Sequence, residues 1–158
     1  MTPTLTALDA ERAVLGAMLL DPECVPGVLA RMSPDAFAGQ RHARIFSAVS
    51  DLNNRGCSSD LVSLTETLKV QSSLDTVGGA SYLAELLGCV VTSAHVENHT
   101  GLILEAWQKR RLKAIAAETV RNVESGMSAG DAIAEVQGAV FKVAQEQSDT
   151  GYASVAQT

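Results

Sequence analysis

Residues 93–147 read SAHVENHTGLILEAWQKRRLKAIAAETVRNVESGMSAGDAIAEVQGAVFKVAQEQ, and the reading of this stretch decides the fold. No proline occurs between Ser93 and Gly126, and Ser93 has the chemistry of an N-cap. An unbroken helix of roughly 30 residues here would be about 45 Å long at 1.5 Å of rise per residue. That is longer than a small globular head needs. Gly101 weakens the helix locally, and Gly126-Met127-Ser128-Ala129-Gly130 breaks it. Ser128 and Asp131 can start a second helix, with Ile133, Val136, Val140 and Val143 along one stripe. Two long helices joined by a short break make an antiparallel hairpin. On the first helix Leu102, Ile103, Leu112, Ile115, Val120 and Val123 spread over more than one face. One partner helix cannot cover them all, so the hairpin is expected to meet a helix of another chain.

Upstream, helix signals recur without a convincing strand alternation. Thr6, with Asp9 three residues later, gives a capping-box start. Ala10, Val14, Ala17 and Met18 then fall on one face. Asp21-Pro22-Glu23 is a second start, with a cap, a proline at the first helical position and an acid at the positive dipole end. Ser33-Pro34-Asp35 repeats that chemistry before Phe37. From Gln40, Ile45, Val49 and Leu52 keep helical spacing beside Phe46, and Gly56 suits a left-handed cap. Ser63 and Glu66 form a capping box for a helix carrying Leu64 and Leu68. Gly78-Gly79 is a turn before Tyr82, Leu83, Leu86 and Leu87. The expected architecture is all-α: a globular helical head over residues 1–92, a long antiparallel helical hairpin over 93–147, and the start of a flexible linker over 148–158, where Ser148-Asp149-Thr150-Gly151 is small and polar.

Composition narrows the function. The 158 residues are 46% hydrophobic and 19% charged, which suits a packed domain and excludes disorder. With 4% aromatic residues the core must be built from Leu, Val, Ile and Ala. A net charge of −6 argues against a broad phosphate-binding surface and against strong direct DNA binding. Cys24, Cys57 and Cys89 are isolated and form no CxxC pair, so they read as reduced thiols. No apolar run approaches a membrane span, and the first residues lack signal-peptide chemistry. The chain reads as cytoplasmic.

No catalytic constellation stands out. The sequence holds no GxxxxGK[S/T] phosphate loop, no nucleophile elbow and no HExxH. No catalytic residue, no metal ligand and no cofactor is assigned within the chain. His95 and His99 share a helix face and read as solvated or capping side chains, although their spacing suits a metal and Glu97 or Cys89 is conceivable as a third ligand. Lys109, Arg110, Arg111 and Lys113 form a basic knot that points around the helix rather than to one side. Trp107, the only tryptophan, reads as a packing residue.

Several segments, in order, resemble the N-terminal domain of DnaB-type replicative helicases. Ala10-Glu11-Arg12-Ala13-Val14-Leu15-Gly16 is similar to that family's EAExxVLG. Phe37, His42, Ile45 and Phe46 resemble its F…H…IF segment, and Asp60-Leu61-Val62-Ser63-Leu64 its DLVTL. Val77-Gly78-Gly79 with Tyr82, Leu83 and Leu86 looks like VGGxxYLxxL, Thr92-Ser93-Ala94 falls where that family reads TSAN or TAAN, and Arg110-Arg111-Leu112 resembles its RRL. The chain departs from the pattern at Val91, where the family has Pro, at His95 for Asn, at His99 for Tyr and at Gly101 for a polar residue. The resemblance implies a non-catalytic collar domain that assembles through its hairpins into a dimer or ring and docks the C-terminal helical domain of primase. A helicase loader is a further candidate partner. ATP and Mg would belong to a separate motor domain. Leu112, Ile115, Val123, Arg110 and Arg111 are the expected primase contacts, and Ile133, Val136, Val140 and Val143 the expected oligomer contacts. The alternative is a free-standing helical regulator that binds a helicase collar.

Overall fold

The computed structural model describes residues 6–90 and 92–155. Among them are seven α-helices and no strand: α1 Ala7–Leu20, α2 Val25–Arg31, α3 Gln40–Asn54, α4 Leu61–Val70, α5 Gly79–Gly88, α6 Val96–Glu124 and α7 Ala129–Val155. Short 3-10 turns at Pro22–Cys24 and Pro34–Ala36 lie between them. The chain divides into two compact units, Met1–Leu104 and Glu105–Thr158. The division falls inside α6, later than residue 92, because Thr100 and Ile103 in the opening turns of α6 are buried in the first unit.

The first unit is the head. Its core is mostly aliphatic, as the low aromatic content requires: Val14, Leu15 and Met18 of α1, Ile45 and Val49 of α3, Leu64 and Leu68 of α4, and Leu83 and Leu86 of α5 are all buried, with Phe46 of α3 among them. Phe37 and Phe46 add a tilted ring pair with centroids 4.9 Å apart. Helix α1 packs most extensively on α5. Gly16 permits that approach, since a Cβ there would stand 2.4 Å from the Leu86 carbonyl oxygen.

The termini of these helices follow side-chain chemistry. Thr6 and Asp9 complete the expected capping box of α1. Asp21 accepts from the Glu23 N–H and opens the proline-led turn. Helix α3 ends in paired 5→2 and 6→1 bonds, Gly56 N–H to Asn53 and Cys57 N–H to Leu52, with Gly56 at φ +70°. Three starts and stops differ from the sequence reading. Asp60, not Ser63, caps α4: its carboxylate accepts from the Ser63 N–H, so the helix begins at Leu61. Ser93 does not cap α6, because its hydroxyl donates to Asp21 over 2.8 Å and the helix starts at Val96. Helix α7 continues through Ser148–Gly151 to Val155, where a linker was expected. One glycine costs about 1 kcal/mol in a helix and no proline intervenes, so the segment stays helical. Residues 156–158 of the expected linker lie outside the described residues.

No single described helix is long and apolar enough to cross a membrane. Helices α1 and α2 pass on composition only as a pair bent by 114°, and most apolar side chains of α1, from Ala10 to Leu19, are buried in the head core.

Candidate interaction surface of the helical hairpin

The second unit is the hairpin formed by α7 and the part of α6 from Glu105 onward. A glycine turn reverses the chain. Gly126 sits at φ +100°, its N–H reaches Val123 and the Met127 N–H reaches Asn122, which closes the last carbonyls of α6. Ser128 then accepts from the Asp131 N–H and opens α7 as expected. The Asn122 amide donates to Glu135 across the seam over 2.8 Å, which fixes the antiparallel register.

The seam is narrow. Ala132 and Val143 are buried and Val136 and Ala139 half-buried, at heptad-like spacing on α7. Ile115, Thr119 and Asn122 are their half-buried counterparts on α6. The sequence placed Ile133, Val136, Val140 and Val143 on one stripe, and the structure divides them. Val143 is 4% exposed and Val136 faces the seam, whereas Ile133 is 58% exposed and Val140 is exposed beside it. The hairpin thus covers two of the four expected oligomer contacts by itself.

Most of the hairpin's exposed apolar side chains lie on one side, whereas Phe141, 62% exposed, points away from the seam. On α6, Leu112 and Val123 sit within about a quarter turn of the seam with Val120 further round on the same side, and on α7 Ile133 and Val140 sit about a quarter turn away in the same rotational sense. In an antiparallel pair, equal rotations bring two stripes to the same face. Of the expected primase contacts, Leu112 and Val123 therefore join Ile133 and Val140, while Ile115 does not.

The opposite face is polar. A groove of about 310 Å³ runs along it, lined by Arg111, Ile115, Glu118, Arg121, Glu135 and Val136 among others. Arg121 pairs with Glu118 on its own helix. The basic knot disperses as its spacing requires: Lys109 pairs with Glu105 over 3.2 Å, Arg110 is half-buried, and the Arg111 guanidinium lies 5.9 Å from the half-buried Trp107 ring.

A second polar arrangement lies inside the head, and the sequence reading missed it. Glu11 of α1, His42 of α3 and Tyr82 of α5 are buried together. His42 Nδ1 lies 2.6 Å from Glu11 and Nε2 lies 2.7 Å from the Tyr82 hydroxyl. Glu11 also accepts the backbone N–H groups of Ala38 (2.5 Å) and Gly39 (3.3 Å). Every ring nitrogen and carboxylate oxygen of the set has a partner, as buried polar groups require. Outside it, the Arg41 guanidinium stacks 3.9 Å from the Tyr82 ring centre. The Arg12 guanidinium lies beside the Tyr82 hydroxyl, which holds its pKa above the ordinary arginine value. No opening reaches Glu11 or His42, which are 0% and 2% exposed, so the set ties three helices and a turn together rather than meeting a substrate. A sequence signal existed: Glu11 occupies a core-facing position, spaced with Val14, Leu15 and Met18.

A compact helical head and a hairpin with one uncovered apolar face define an all-α module whose surface suits helix-on-helix docking. Residues 4–105 match the family described as DnaB-like helicase N terminal domain. The replicative DNA helicase DnaB of Rhodothermus marinus is 34% identical over 137 residues, 87% of this chain and 15% of that protein. That of Treponema pallidum (strain Nichols) is 37% identical over 123 residues, 75% of this chain and 28% of that protein. Among solved structures, the N-terminal domain of DnaB helicase from Mycobacterium tuberculosis superposes with a TM-score of 0.81 at 28% identity, covering 89% of this chain and 99% of that one. A structure of a DnaB-like replicative helicase and its interactions with primase gives a TM-score of 0.70 at 28% identity, covering 87% of this chain and 30% of that one. The chain belongs to the DnaB-like helicase N-terminal domain family. It spans less than a third of the length of these two curated relatives.

Proposed function

We propose that this chain is the non-catalytic collar module of a replicative helicase, and that its hairpin both joins copies to one another and docks primase. The observation that carries the reading is the uncovered face of Leu112, Val120, Val123, Ile133 and Val140. Aliphatic side chains of that size, aligned on two adjacent helices, offer about 25 cal/mol for each Å² they remove from water. A second hairpin supplies the same stripe in a self-complementary contact. The grooved face, with Ile115 and Arg111, is then left for the helical C-terminal domain of a primase, a role in keeping with the primase interactions described for the structural relative. ATP and Mg chemistry belongs to a motor outside this module, in keeping with the absence of a phosphate loop from the sequence.

Two measurements test the two halves separately. In sedimentation equilibrium the chain should associate with rising concentration, and Ile133→Asp should return it to monomer with its helicity intact. A strict monomer at high micromolar concentration removes the self-association half. In titration with the cognate primase C-terminal domain, Arg111→Glu should weaken binding and its effect should shrink with added salt. No binding by the associated wild-type chain removes the primase half and leaves a regulator that docks on another helicase's collar.

A further inference from the structure

His95 is the residue before α6 and His99 lies in the first turn of that helix. The His99 N–H bonds to the His95 carbonyl over 3.1 Å, so one helical turn separates the two side chains. Their rings face each other edge to face with centroids 6.5 Å apart. Neither ring has a hydrogen-bond or ion-pair partner among the described residues, whereas the third histidine, His42, is committed to Glu11 and Tyr82. His95 is exposed and His99 half-buried.

We propose that His95 and His99 form a two-histidine chelate for a divalent transition-metal ion, a site separate from the hairpin surface. Two imidazoles four residues apart on a helix present their nitrogens to one point. An ion held tetrahedrally by both rings at 2.0–2.1 Å needs ring centres about 5 Å apart. A rotamer adjustment of the exposed His95 closes the difference from 6.5 Å. Neither Glu97 nor Cys89 joins: no group of three His, Cys, Asp or Glu side chains among the described residues could hold an ion. The remaining coordination positions therefore belong to water or to a donor from another molecule. Imidazole nitrogens select nickel, copper and zinc over magnesium and calcium, with copper held tightest.

The test is calorimetric titration of the tag-free chain with Ni²⁺, Zn²⁺ and Mg²⁺ salts, beside His95→Ala, His99→Ala, the double variant and Cys57→Ser/Cys89→Ser. The wild type should take up one Ni²⁺ or Zn²⁺ per chain and no Mg²⁺. Each single histidine variant should bind on the order of tenfold or more weakly, as expected when a chelate falls to one imidazole. The serine variant should bind as the wild type does. Because only the folded helix turn brings the rings together, the ion should also raise the melting temperature of the wild type and not that of the double variant. Equal affinity in the wild type and the double histidine variant, or binding lost in the serine variant, overturns the proposal.

Discussion

Glu11 shows how much one residue can hold. Its carboxylate is buried and accepts from His42 and from two backbone N–H groups at Ala38 and Gly39. Removing it strands all three donors without water. Glu11→Ala should therefore lower stability by about 3 kcal/mol, since each orphaned buried group costs about 1–3 kcal/mol. Tyr82→Phe strands one buried group of the set, His42 Nε2, and should cost less, about 1–2 kcal/mol. Urea melts of the two variants measure the difference, and equal midpoints would mean the network is not what ties the head together. Gly16 makes a harsher test at the same scale. Gly16→Ala drives a methyl into the Leu86 carbonyl and should destabilise by about 1–3 kcal/mol through overpacking, against the gain that alanine gives in an open helix.

At the scale of the helix, the caps carry a pH dependence with a definite sign. The bond from the Ser63 N–H holds Asp60 below the ordinary carboxylate pKa, and the Thr6 hydroxyl does the same for Asp9. A carboxylate with a folded pKa below its unfolded value stabilises above the unfolded value, about 3.9, and that stability is lost as pH falls through the folded value. Through these two groups melting temperature should thus not change with pH near neutrality and should fall on acidification below about pH 4. Asp60→Asn keeps a capping oxygen but should flatten that acid limb, as thermal melts across pH would register. Much at this scale was legible in the sequence. The apolar spacing of α1, α3 and α5, the Thr6 box and the Gly56 and Gly126 turns stand where local chemistry puts them. Two things were not legible. Asp60 and Ser63 are overlapping cap signals three residues apart, and only the packing of Leu64 and Leu68 decides which acts. The period of α7 gives Ile133, Val136, Val140 and Val143 as one broad stripe, but the direction of the seam depends on α6. Expected primase and oligomer contacts could not be separated for that reason, and the Glu11–His42–Tyr82 set was missed because its members are far apart in sequence.

Taken whole, the molecule distributes its stability unevenly. The head has a continuous aliphatic core, whereas among the described hairpin residues from Glu105 onward only Ala132 and Val143 are fully buried. Segments with few buried apolar contacts open most readily. Hydrogen exchange should accordingly be faster at amides of residues 105–146 than in α1, α3 and α5. If copies associate through the hairpin, that exchange should slow as protein concentration rises while the head's does not. Concentration-independent exchange throughout would separate the hairpin from self-association.

The close packing of α1 on α5 also bears on how the chain is made. Of the head's helices α1 is made before the others, yet its main neighbour is the last helix completed before α6, and its Glu11 waits for His42 and Tyr82. Synthesis proceeds at about 5–20 residues per second, so α1 spends seconds without the surface it will bury. The head should therefore acquire protease resistance in a single step, once Leu86 and then Ile103 have cleared the exit tunnel, and not helix by helix. Stalled nascent chains of increasing length, digested while still attached, would reveal a staircase instead if α1 had found an earlier partner.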